Sequence, residues 1–222
     1  MAEPPPRSLP ADLLAAGAPY GLLLAGGHAA REHGLVERAG PGVTVASDSS
    51  AGMAEIADGV RAGLVELGWL VASVETDPLA ARLVVAEPVT GAECVVDVVK
   101  EVLWGPPVAS EDGPVLSLED LIGTRVRALV DRGLARDLVH VRAAARLRSR
   151  PELEELGRRH ALDAFDLADL QSRLTGADWI DDGAFAACGL DPEAVAELRR
   201  WALEWADDIA ERLAEEEPPD DA

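Results

Sequence analysis

Lysine is nearly absent from this chain. Of 222 residues, Lys and Arg together supply 20, and Lys100 is the only lysine. Positive charge is scarce as well, since 41 Asp and Glu leave a formal net charge of −21. Phosphate backbones are repelled by such a body, which argues against broad, nonspecific nucleic-acid binding. Cysteine occurs twice, as Cys94 and Cys188. Two distant thiols exclude a disulfide framework and a CxxC centre, and they fit a reducing, cytoplasmic setting. The four histidines, His28, His33, His140 and His160, show no zinc-type spacing with Cys or acidic neighbours. No window of about 18 uncharged apolar residues exists, so no membrane-spanning helix is expected. There is no GxGxxG, no GxxxxGK and no GxSxG, which removes the common dinucleotide, P-loop and serine-hydrolase signatures. No repeat with a period of 20 to 50 residues is evident.

What is present points to a globular chain. Hydrophobic residues make up 48%, and this length can bury a core without covalent staples. The opening "MAEPPPRSLP" lacks the basic-then-apolar layout of a signal peptide. Residues 1–17 are therefore expected to be a flexible leader, and the acidic residues 215–222 a tail. Ten of the 20 Lys and Arg fall between Arg125 and Arg159. That local basic run suits either a solvated helical face or a phosphate ligand.

The first half reads as α/β. Tyr20–Ala25 is a short apolar run, read as a buried strand ended by Gly26-Gly27. His28–His33 fits a short helix. Val43–Ser47 is β-like. Met53, Ile56, Val60, Leu64 and Leu67 recur at helical spacing over one face. "WLVASVETD", "ARLVVAEP" and "ECVVDVVKE" are three further strand candidates. Pro106-Pro107 and "SEDGP" read as a break between an α/β domain at 18–108 and a helical domain at 115–214. In the second half, Ser117 and Asp120 form a capping-box pattern before Leu118–Arg132. Ala135–Arg148, Pro151–His160, Phe165–Leu174 and the segment from Pro192 complete a bundle of about five helices. Trp201 and Trp205 are four apart and share a face.

Three places carry chemistry. Gly26-Gly27 after a strand lets backbone amides approach a phosphate, although small residues are common in any strand-to-helix turn. Asp97 sits between valine pairs on a strand expected to be covered on both faces. There it needs a partner, a metal or a hydrogen-bond network. In "GTRVRALVDRGLARDLVHV", Arg125 or Arg127 could hold phosphates through a fork of donors, while Asp137 suits the start of the next helix.

In this order, "LAGGHAAREHGL", "VER", a β-stretch, "ECVVDVVKEVLWGPPV" and "LEDLIGTRVRALVDRGLARDLVHV" resemble the AbiEii/AbiGii nucleotidyltransferase toxin family in its actinobacterial form. The resemblance spans roughly residues 22–145. It implies a polymerase-β-like nucleotidyltransferase mixed sheet followed by a C-terminal helical domain. It also implies a bacterial toxin–antitoxin setting, with a cognate antitoxin, an NTP and an RNA or protein acceptor as partners. Family members hold Mg²⁺ with an Asp-x-Asp and a third strand acid. Counted from Glu37-Arg38, the pair falls on Gly42 and Thr44, and the third acid matches Asp97. The family lysine matches Arg125, and its "RDxxD" becomes Arg136-Asp137-Leu138-Val139-His140.

The resemblance thus assigns Asp97, Arg125 and Asp137 to catalysis and Gly26, Gly27, Arg38 and Arg125 to nucleotide binding. A metal would fall to Asp97, with Asp48 within reach only through a slipped register. Losing two metal acids removes most phosphoryl-transfer power, which rests on positioning and charge neutralisation. The expectation is a nucleotidyltransferase-like protein with weakened or lost catalysis. An active Mg²⁺-dependent transferase and a non-catalytic interaction protein are the alternatives.

Overall fold

The computed structural model describes residues 8–161 and 165–216. The chain divides into two compact units, Met1–Leu121 and Ile122–Ala222.

The first unit is built on a seven-stranded mixed sheet. Its strands are β1 (Leu23–Leu24), β2 (Val43–Ser47), β3 (Leu70–Thr76), β4 (Ala80–Ala86), β5 (Glu93–Lys100), β6 (Val108–Ser110) and β7 (Gly113–Val115). They lie in the order β3-β4-β5-β2-β1-β7-β6. β2 and β5 run parallel, while β3, β4 and β5 form an antiparallel meander. Three helices belong to this unit, α1 (Leu9–Ala16), α2 (Gly26–Glu32) and α3 (Met53–Glu66).

Alternation decides which face is covered. Val43 and Val45 of β2, Val96 and Val98 of β5, and Ala81, Leu83 and Val85 of β4 are all buried. They point to one side, where α3 packs on β3 and β4 and α1 packs on α3. The buried face of α3 is Met53, Ile56, Ala57, Val60 and Leu64; four of these follow the expected apolar spacing, while Leu67, expected with them, caps the helix end and is exposed. The sheet is not covered on both faces at Asp97: Val95 is 41% exposed and the Asp97 side chain 35%.

Three local readings need correction. The stretch read as a flexible leader contains α1, with Leu13 fully buried and Asp12 accepting from Trp69 Nε1 at 2.8 Å. Pro10 sits in its first turn, where a missing N–H costs nothing. The expected strand over 20–25 is shorter. Ala18–Tyr20 forms a 3₁₀ turn that Gly21 ends at φ +62°, leaving Leu23–Leu24 to pair. The proline- and glycine-bearing stretch read as a break is a β-hairpin, with Ser110 Oγ donating to the Gly113 carbonyl at 2.6 Å. It extends the sheet because β7 pairs with β1. Residues 1–7 of the leader and 217–222 of the tail lie outside the described residues.

Helix α4 (Leu118–Arg132) begins at the end of the first unit. Ser117 Oγ accepts from the Asp120 amide at 3.1 Å and donates to Asp120 Oδ2 at 2.8 Å. The expected capping pair therefore forms, but the Asp120 carboxylate does more. It also accepts the amides of Trp104 and Gly105, each at 3.0 Å.

The second unit contains α5 (Ala135–Ala144), α6 (Arg150–His160), α7 (Leu167–Thr175), α8 (Asp182–Ala186) and α9 (Pro192–Glu216). The short α8 was not foreseen. Asp181 starts it by accepting from the Gly183 amide at 2.8 Å. Leu138, Leu153, Leu170, Phe185 and Trp205 are fully buried within this unit. Trp201 and Trp205 do share a face, with ring centroids 5.4 Å apart. Trp205 Nε1 donates to Glu154 Oε1 at 2.9 Å, and Arg212 grips the same carboxylate with two bonds. A buried acid is tolerable only when satisfied in this way.

Candidate functional site

The open face of the sheet carries one cross-strand row. Glu75 of β3 stands opposite Arg82 of β4, Arg82 opposite Asp97 of β5, and Asp97 opposite Thr44 of β2. Directly opposed residues point the same way, so their side chains meet. Arg82 Nε donates to Asp97 Oδ1 at 2.7 Å. This is a charge-assisted bond, and it holds the guanidinium pKa above its usual range. The row continues toward β1, where the Ala25 amide donates to the Thr44 carbonyl at 2.8 Å.

Ala25 is also the residue before α2. Gly26 takes φ +56°, a conformation glycine adopts without strain. Gly27 is required for a different reason. A Cβ there would lie 3.0 Å from the Gly40 nitrogen and 3.3 Å from the Ala39 Cα. Both glycines are thus needed by the chain's own backbone. Ala25, the N-cap, gives the first turn of α2 no side-chain cap. The amides of Gly26, Gly27 and His28 have no intrahelical acceptors, as at any helix start. Burial lowers the His28 pKa, against a weaker raising effect of Asp112. Arg38 is exposed in the bend between α2 and β2.

Gly42 and Thr44 occupy the positions where the resemblance puts metal acids. A Cβ at Gly42 would lie 3.0 Å from the Val95 carbonyl oxygen. The first acid position is therefore not merely empty; β5 has closed upon it. Asp48 does not meet Asp97. The β2–β5 register runs unbroken from Val43–Val96 to Ser47–Lys100. Asp48 lies four residues past Thr44, which at strand rise is about 13 Å along the sheet. The slipped register that would join them is absent. Lys100 points to the other face and donates to the Ala51 carbonyl.

A divalent ion does not fit this set. Magnesium takes about six oxygens near 2.1 Å and fills with water and substrate phosphate those a protein does not supply, but here the protein brings only Asp97, already paired with Arg82, beside a neutral hydroxyl, with Glu75 two strands away. Among the described residues no group of three or more His, Cys, Asp or Glu could hold a metal.

In the helical unit, Asp137 is fully buried and spoken for. Arg132 Nε and Nη2 reach its two oxygens, each at 2.8 Å. It serves as a clamp between the end of α4 and the start of α5, not as an available catalytic acid. Arg125 lies on α4 near His140, whose pKa falls to about 4, chiefly from burial and then from the Arg125 charge. His140 therefore stays neutral at pH 7, and it supplies no carboxylate.

Sequence reasoning missed Arg82. No motif marks it, and only the β4–β5 register brings it to Asp97.

No family model matches the chain, and no curated protein matches it. Solved structures do. A candidate nucleotidyltransferase from H. pylori is 14% identical, with a TM-score of 0.52 over 93% of this chain and 94% of that one. JHP933 from Helicobacter pylori is 15% identical, with a TM-score of 0.50 over 92% and 91%. MenT4, a nucleotidyltransferase toxin from Mycobacterium tuberculosis H37Rv, is 17% identical, with a TM-score of 0.54 over 89% and 81%. The mixed sheet followed by helices is thus the fold of nucleotidyltransferase structures. Among the described residues no helix is long and apolar enough to cross a membrane.

Proposed function

We propose that this chain is a toxin-type nucleotidyltransferase-like protein that binds a nucleoside triphosphate and has lost, or nearly lost, nucleotide transfer. One observation carries the reading. Thr44 stands opposite Asp97 in an unbroken ladder, so a single carboxylate remains where the chemistry needs several. Phosphoryl transfer draws its rate from positioning and charge neutralisation, and that machinery is dismantled here. The phosphate-facing part is not. The uncapped first turn of α2 begins one residue after Ala25, which is bonded to Thr44. Backbone amides there suit an anion, and Arg38 is exposed nearby in sequence.

Gly26, Gly27 and Arg38 are the proposed nucleotide contacts. Arg125 keeps its place as a proposed nucleotide-binding residue on the resemblance. The toxin designation of MenT4 supports a protein antitoxin as the partner in a bacterial cytoplasm. RNA is less favoured as a ligand on a body of charge −21.

Calorimetric titration of the full chain with each NTP tests the reading. Saturable binding of at least one, weakened by Arg38→Ala, is the expected result. Binding of none overturns it and leaves a pure interaction protein.

A further inference from the structure

We propose that Arg82 is a built-in cation that takes the place of a divalent metal as the counter-charge of Asp97, making the open face of the sheet a metal-independent site. The inference deepens the nucleotidyltransferase-like reading and rests on it for the identity of the site.

The placement is specific. Arg82 is directly opposite Asp97 in an antiparallel ladder, while Thr44 is directly opposite on the other side. The guanidinium donates to Oδ1 at 2.7 Å, so an ion approaching that carboxylate competes with a cation already bound to it. A divalent cation would also face a fixed positive charge at close range. Unlike a lysine or histidine, an arginine has no accessible pH at which it loses that charge. Charge summation agrees. Glu75, Arg82 and Asp97 together carry one net negative charge, whereas three clustered carboxylates would carry three. Loss of the acids at 42 and 44 removes the attraction for metal, and Arg82 satisfies what remains.

Arg82 is well placed for this role and poorly placed to be structural. Its side chain is 60% exposed, and exposed pairs contribute little to stability. Its effect should therefore be visible in ion binding rather than in folding.

The test is a Mn²⁺ titration of the full chain without nucleotide, following the free-ion signal by electron paramagnetic resonance. Acidic surface residues will bind Mn²⁺ weakly in every variant, so the comparison is differential. Wild type and Asp97→Asn should superimpose. Thr44→Asp, with Arg82 in place, should gain no more than about twofold, whereas Thr44→Asp/Arg82→Gln should gain one site at least about tenfold tighter, because an adjacent unit charge is removed. Adding Asp97→Asn should abolish that site. Should Thr44→Asp fail to fold, Arg82→Gln alone removes the cation and adds no carboxylate, and it should gain at least about twofold over wild type, a gain that Asp97→Asn removes. A wild-type site lost in Asp97→Asn overturns the proposal. So does Thr44→Asp binding as tightly as the double variant, or an Arg82→Gln variant that gains nothing. A chain that binds NTP by calorimetry yet gives one of these results disproves the role of Arg82 alone. A chain that binds no NTP disproves the nucleotide reading and leaves the Mn²⁺ result standing.

Discussion

Thr44 faces Asp97 across the parallel β2–β5 ladder, and at Gly42, two residues earlier, an added Cβ would lie 3.0 Å from the Val95 carbonyl oxygen. Restoring acids at these two positions therefore has unequal consequences. Thr44→Asp adds a like charge opposite Asp97, a cost of up to about 1 kcal/mol. Gly42→Asp must push β5 aside and should cost about 1–3 kcal/mol. Urea unfolding of the two variants measures the difference. Equal midpoints would show that β5 yields freely at Gly42.

The Arg132–Asp137 clamp makes a sharper prediction about stability. Asp137 is fully buried, while Arg132 is 43% exposed. Arg132→Ala leaves an uncompensated buried carboxylate and should cost about 3 kcal/mol or more. Asp137→Asn leaves an arginine that can turn to water, and it should cost less. The order of the two urea midpoints checks this. The reverse order would mean that Asp137 is not the buried member that dominates the pair.

His140 gives the fold a pH dependence. Its native pKa is about 4, against the ordinary 6.5. The group binds a proton more readily when unfolded, so stability falls as pH drops from about 6.5 toward 4. Above that window the contribution is fully present. The loss should reach no more than about 3 kcal/mol. The charges that act on it are Arg125, Asp137, Arg136 and Arg132. His140→Gln should flatten the difference between unfolding curves at pH 7.5 and 5. An undiminished difference in that variant would place the titrating group elsewhere.

Asp120 anchors the chain after β5. Its carboxylate holds the Trp104 and Gly105 amides and the Ser117 hydroxyl. Asp120→Ala should cost about 2–3 kcal/mol because those donors lose their partner. It should also speed hydrogen exchange at Trp104 and Gly105. Unchanged exchange at both amides would show that the carboxylate is not what orders them.

Much of the fold was legible because local pattern and tertiary demand coincide. Val43, Val45, Val96 and Val98 alternate on one face, and α3 repeats its apolar residues at helical spacing. What escaped was set by distance in sequence or by short elements. β6 and β7 are three residues each, and β7 carries the Gly and Pro that elsewhere mark a break. α1 hides behind a run of prolines. At the site, the lack of acids at Gly42 and Thr44, where the resemblance puts them, could be read by alignment with a motif. That Arg82 neutralises Asp97 could not, because the pair is 15 residues apart and exists only through the β4–β5 register. Nor could sequence separate Asp137 as a buried clamp from Asp137 as a catalytic acid, since both need a carboxylate at a helix start.

The central claim is that transfer chemistry has gone while the fold remains. Its most direct test is label transfer from each α-radiolabelled NTP, with Mg²⁺ or Mn²⁺, to total RNA and to protein. The account predicts no incorporation above that of Asp97→Asn. Incorporation by the wild-type chain that Asp97→Asn abolishes would contradict it.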